Sequence, residues 1–183
     1  MIAPASLIPP AELPVDDEYM LSMLQVTDAE ARYHIFNDDP RRFDSFRYSD
    51  VKYTPGMALT ECVRAGQHRA DGTAANYGLR YLGNMLVGGL DLTLQHPDPR
   101  VANLAYMIMA THEGRGAITR GARVLVRFGL EDWGLHSVVL PINADNQRSQ
   151  AVAARLGATK IGVTPKTEHG PAKDIYEIRE ISW

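Results

Sequence analysis

The sequence predicts an α/β fold in which strands and helices are intermixed, with a helix-then-strand unit in the second half. Three observations predict it. Apolar runs of strand length recur between turn residues, as at 85–94 and 102–110. Helical stretches open on residues that cap helices, Thr54-Pro55 and Asn146. The longest of those helices opens on a glycine turn, Glu113-Gly114-Arg115-Gly116-Ala117-Ile118-Thr119, straight after the most apolar strand.

Each element follows in order. Residues 1–18 are proline-rich and acidic and read as an extended arm; residues 19–183 read as a single domain. A first strand is expected over 19–26, and Thr27-Asp28 then offers a cap for a helix over 29–37. Residues 38–53 mix charges with aromatics and give no assignment. Thr54, with Pro55 at the first helical position, starts a helix to about residue 67, and 68–73 reads as a loop. Gly83-Asn84 between the apolar runs 76–82 and 85–94 predicts a hairpin. After a turn at 95–100, the nearly all-apolar run 102–110 reads as a central strand. Leu125, Phe128, Leu130 and Trp133 keep a helical spacing over 115–133, which Gly134 ends. A strand at 136–142 follows, then a short helix from Asn146 to Leu156-Gly157, and closing strands at 159–163 and 175–181.

Composition narrows the functional classes. The chain has 183 residues, 45% hydrophobic and 22% charged, which suits a single domain with a real core. Nineteen basic against 22 acidic residues leave a net charge of −3, without the basic footprint of a nucleic-acid binder. A single cysteine, Cys62, excludes an internal disulfide framework and a cysteine zinc site, and suits the cytoplasm. The six histidines form no HxxxH or HxH pair, so no metal is expected. The longest apolar run is far short of a membrane span, and the N-terminus lacks the basic start of a signal peptide.

The glycine turn is where chemistry is expected. Open N–H groups at a helix N-terminus, together with the positive end of the helix dipole, attract an anion. Arg115 and Arg120 add positive charge. Spacing alone favours a tight turn without a ligand. A nucleotide loop is disfavoured, because neither Gly-Lys-Ser/Thr nor GxGxxG is present.

The order of strand, glycine turn with a basic residue, long helix, strand, Asn146-Gln147-Arg148-Ser149 helix, Leu156-Gly157 and strand resembles the GNAT acyl-CoA N-acetyltransferases. The likeness is to the branch that acetylates the N-termini of ribosomal proteins, good over 75–182 and weaker over 19–67. It implies a mixed, mostly antiparallel twisted sheet flanked by helices and splayed between its two central strands. It also implies acetyl-CoA as cosubstrate and a primary amine as acceptor, on a protein N-terminus or a small molecule, and a homodimer. The pyrophosphate would lie on Gly114, Arg115, Gly116, Ala117, Ile118 and Thr119. The pantetheine arm would pair with the backbone of Ile108, Met109 and Ala110 and meet Asn146, and the N–H of Ile108 or Met109 would receive the oxyanion. Ser149 would donate the proton to the thiolate and Glu168 would act as base. Two positions depart from the family loop: Glu113 stands where Gln or Arg is usual, repelling phosphate unless turned away, and Ile118 replaces Gly or Ala and narrows the approach. The tyrosine that many members carry in the short helix is replaced by Ala153; Tyr176 is a second acid candidate. Arg41, Arg42, Phe43, Phe46, Arg47 and Tyr48 are candidates for holding the acceptor. Two other readings remain: a non-catalytic acyl-CoA-binding protein, and a self-immunity enzyme that acetylates an antibiotic amine.

Overall fold

The protein is described here by a computed structural model, which covers residues 8–38, 52–95, 98–167 and 170–183. The elements are β1 (Glu12–Pro14), β2 (Tyr19–Met23), α1 (Ala29–Asn37), α2 (Pro55–Asp71), β3 (Ala74–Tyr81), β4 (Met85–Leu94), β5 (Val101–Ile108), α3 (Ala117–Arg127), β6 (Ser137–Asn143), α4 (Gln147–Arg155), β7 (Thr159–Thr164) and β8 (Lys173–Ile178). The eight strands form one sheet in the order β1-β2-β3-β4-β5-β6-β8-β7. Every pairing is antiparallel except β5 with β6.

The expected hairpin forms, with a three-residue turn of Leu82, Gly83 and Asn84 in which Leu82 and Gly83 are both at positive φ, 44° and 94°. That hand of turn matches the twist of the strands it joins. Thr54 caps α2 by accepting the Met57 N–H at 3.2 Å. Helix α2 then outruns its expected end by four residues and closes at Gly72, φ 64°. The stretch expected to be irregular contributes the edge strand β1, which pairs with β2. Asp28, expected to cap α1, does not: its carboxylate accepts the Gln25 N–H at 2.9 Å and both bonds of an Arg80 guanidinium at 2.9 Å. A buried carboxylate near a guanidinium is drawn to the stronger, charge-assisted partner. Helix α3 runs on into a wider turn over Phe128–Asp132 before Gly134 ends it.

Two apolar clusters cover the two faces of the sheet. Leu104, Tyr106 and Ile108 of β5 join the larger, with Leu125 and Val126 of α3 and Ala153 of α4. Met107 and Met109 join the smaller, with Ile35 of α1 and Ala65 of α2. Alternation along β5 sends successive side chains to opposite faces. In β4, the register slips at Val87, since Leu79 pairs with Gly88 and Arg80 with Leu86. This bulge lies beside the end of β5 and gives the Val87 carbonyl to Met109.

Candidate active site

Strand β5 is the axis of the site. Its neighbour β6 accompanies it only from Val101↔Ser137 to Asn103↔Val139, while the other edge of β6 stays paired with β8 from Val138 to Asn143. The two central strands therefore splay beyond Asn103, and a slot opens between them. On its other edge β5 is held hard against β4. A Cβ at Gly88 would lie 2.5 Å from the Met107 carbonyl oxygen, so any side chain there would push β5 into the slot.

The structure places Ile108, Met109 and Ala110 at the mouth of this slot but treats their backbones differently. Met109 donates its N–H to the Val87 carbonyl at 2.7 Å. The Ala110 N–H goes to Asp38 Oδ2 at 3.0 Å. Strand alternation turns the Ile108 peptide the other way, toward the slot. The Met109 N–H, one of the two expected to meet an oxyanion, is thereby engaged in the sheet. The side chains of Met107 and Met109 pack under α1 and α2.

The turn after β5 leads into α3. Gly114 and Gly116 have φ of 74° and 73°, a conformation that costs other residues about 1–2 kcal/mol. Gly116 is the N-cap of α3 and has no side chain to bond the first-turn amides of Ala117, Ile118 and Thr119. Both departures from the family loop find an explanation here. The Glu113 carboxylate is paired with Arg148 of α4 at 2.6 Å, which offsets its charge and draws it toward that helix. Ile118 is 7% exposed and its side chain lies in the core, away from the approach to the loop.

The arginines divide. Arg115 is exposed within the turn. Arg120 is paired with Asp16 at 3.2 Å and lies over the Tyr19 ring. Arg123 stacks on Trp183, and Arg127 donates to the Trp183 carbonyl, so both hold the C-terminus. His112 is buried against the edge of Tyr81, and burial, with Arg115 nearby, pushes its pKa down; it stays neutral and adds no charge to the loop.

The opposite wall is α4. Asn146 Oδ1 accepts the Ser149 N–H at 3.1 Å and so caps the helix. Ser149 stands in the first turn, and its carbonyl accepts a hydrogen bond from the phenol of Tyr106 at 3.3 Å. Ala153 is fully buried. Tyr176 sits on β8, packed against the larger cluster. Glu168 lies outside the described residues, as do Arg41, Arg42, Phe43, Phe46, Arg47 and Tyr48. Among the described residues, no three His, Cys, Asp or Glu gather as a metal site, and no helix is long and apolar enough to cross a membrane.

Sequence reasoning missed two residues, Tyr106 and Arg148. The signal for Tyr106 was its parity with Leu104 and Ile108 on β5. Arg148 carried none, because its partner is 35 positions away.

A slot between splayed parallel strands that ends at an open helix N-terminus can take an extended thiol-bearing arm attached to a diphosphate. The comparisons with known proteins agree. The model for the acetyltransferase (GNAT) domain matches residues 19–159. A Bacillus subtilis (strain 168) protein assigned as a ribosomal N-acetyltransferase, YdaF, is 25% identical over 150 residues, spanning 81% of each chain. Among solved structures, the microcin C7 self-immunity acetyltransferase MccE, in complex with acetyl-CoA and AMP, superposes with a TM-score of 0.82 at 21% identity, covering 94% of this chain and 98% of that one. The ribosomal L7/L12 α-N-protein acetyltransferase RimL, in complex with coenzyme A, gives 0.83 at 17% identity, covering 92% and 97%. With a family model matched over most of its length, the chain belongs to the GNAT acetyltransferases, acyltransferases that use acetyl-CoA as cosubstrate.

Proposed function

We propose that the protein acetylates the α-amine at a polypeptide N-terminus by direct attack on acetyl-CoA. The observation that carries this reading is the slot between β5 and β6 leading to the uncapped N-terminus of α3. The diphosphate lies on Gly114, Arg115, Gly116, Ala117, Ile118 and Thr119, and the arm runs along β5 past Ile108 to Ala110 and toward Asn146. The oxyanion is met by a backbone N–H at the end of β5, where a donor fixed in the strand needs no reorganisation during the reaction.

An α-amine is the acceptor that costs least to prepare. Its pKa is near 8 against about 10.4 for lysine, so far more of it is neutral at pH 7. The curated relative assigned as a ribosomal N-acetyltransferase supports a protein N-terminus as the acceptor. Ser149 meets the departing thiolate from α4, and Glu168 takes the proton from the amine, directly or through water. A cytoplasmic homodimer, with residues 19–183 as one unit to which the edge strand β1 is added, completes the proposal.

The test is thiol release from acetyl-CoA with three acceptors: a peptide with a free N-terminus, the same peptide blocked at its N-terminus but carrying lysine, and small amines. Release with the first alone is expected. Release with small amines only would replace the acceptor class, and release with none would leave an acyl-CoA-binding protein. Ser149→Ala and Glu168→Gln should each lower kcat by about 10²-fold with the acetyl-CoA KM little changed. Unchanged rates in both would remove these roles.

A further inference from the structure

The phenol of Tyr106 reaches from β5, on one side of the slot, to the first turn of α4 on the other. Tyr106 lies on β5, two positions before Ile108 and three after the last residue paired with β6. Its side chain falls on the same face as those of Leu104 and Ile108, the face of α3 and α4. From there its Oη reaches across to the Ser149 carbonyl in the first turn of α4. Any arm that enters past the α3 N-terminus and follows β5 inward must run beside this hydroxyl before β5 and β6 close.

We infer that Tyr106 is a catalytic residue, the acid that protonates the departing thiolate of coenzyme A. The inference rests on the acetyl-transfer reading and adds to it a donor on the strand side of the sulfur, opposite Ser149. In the step, the amine nitrogen bonds to the thioester carbon and the carbonyl pair moves to oxygen. The tetrahedral intermediate then collapses, the C–S bond breaks, and its electron pair goes to sulfur. The phenol proton passes to that sulfur, and the phenolate recovers a proton from the one released by the amine, through solvent.

The chemistry favours a phenol over an aliphatic hydroxyl. A free thiol has a pKa near 8.5 and a free phenol near 10, so a phenol gives its proton to a thiolate at far less cost than a serine hydroxyl, a much weaker acid. Burial pushes the Tyr106 pKa above its ordinary value, so the phenol is protonated at neutral pH. The bond to the Ser149 carbonyl is long, at 3.3 Å, and exchanging it for sulfur costs little.

The experiment titrates the thiol of coenzyme A bound to the wild type, to Tyr106→Phe and to Ser149→Ala, following ultraviolet thiolate absorbance. No acceptor is needed, so the result stands whether or not an amine is ever acetylated. The wild type should hold the bound thiol pKa about one unit below that in Tyr106→Phe, as one hydrogen bond to a charged group implies. With an acceptor, Tyr106→Phe should lose about 10²-fold in kcat while coenzyme A affinity stays within about threefold. Equal thiol pKa values in wild type and Tyr106→Phe would overturn the inference, as would a shift seen only in Ser149→Ala. A fall in coenzyme A affinity and melting temperature without a thiol shift would show that the phenol only clips β5 to α4, which also overturns it.

Discussion

Helices α3 and α4 begin on opposite walls of the same slot and are finished in opposite ways. The first turn of α4 is closed by its own sequence, because Asn146 accepts the Ser149 N–H. The first turn of α3 begins at Gly116, φ 73°, with no side chain to spend on its amides. The pair teaches that a helix N-terminus becomes an anion site by what its cap leaves out. A capped helix gains stability, about 1 kcal/mol for Asn over Ala, and an uncapped one keeps its dipole and donors for a ligand. Glu113 and Arg148 join the two ends with an ion pair that steadies the carboxylate of the glycine turn.

The strongest way to break the contrast is to give α3 the kind of cap α4 has. Gly116→Asp supplies a side-chain acceptor, a residue that tolerates positive φ, and meets no atom within 4 Å of its Cβ. It should raise the acetyl-CoA dissociation constant by about 10–100-fold, since each hydrogen bond to a charged group is worth about 1.5–3 kcal/mol. The melting temperature of the unliganded protein should hold. Isothermal titration and a thermal melt read both, and unchanged affinity would mean that the phosphates do not sit on α3.

Uncapping α4 is the smaller change. Asn146→Ala should cost about 1 kcal/mol and lower the melting temperature by about 2–4 °C. A loss of coenzyme A affinity greater than about tenfold would show that Asn146 holds the ligand and does more than cap. The smallest effect belongs to the tie between the helices. Arg148→Ala removes an exposed ion pair worth about 0–1 kcal/mol and should weaken acetyl-CoA by no more than about fivefold. Adding Glu113→Gln should restore the affinity, because the harm comes from the released carboxylate.

The parts that were legible from sequence are those whose cause lies within a few residues. The bounds of β4, the span of α1, the Thr54 and Asn146 caps and the Gly83-Asn84 hairpin follow from local apolar pattern, capping and turn chemistry. The end of α2 was misplaced because Gln67 and His68 carry no strong signal; the helix runs on to Gly72, and Arg69 is held by the Pro9 carbonyl 60 positions away. Strand β1 was missed for the same reason, since a short proline-bearing edge strand exists only by pairing with β2. Near the site, the glycine turn and the Asn146 cap could be read locally, but not the fate of the Met109 N–H or the reach of Tyr106.

The sequence by itself determined the alternation of strands and helices, the open glycine cap of α3 and the closed asparagine cap of α4. Backbone propensity, left-handed φ and capping are decided by a residue and its near neighbours. Only the tertiary structure decided that β5 and β6 part after Asn103, that Asp28 turns from its helix to Arg80, that Glu113 is bound by Arg148, and that Tyr106 spans the slot to Ser149. Each of these is a contact between residues far apart in the chain, chosen by packing, burial and charge once the sheet has brought them together.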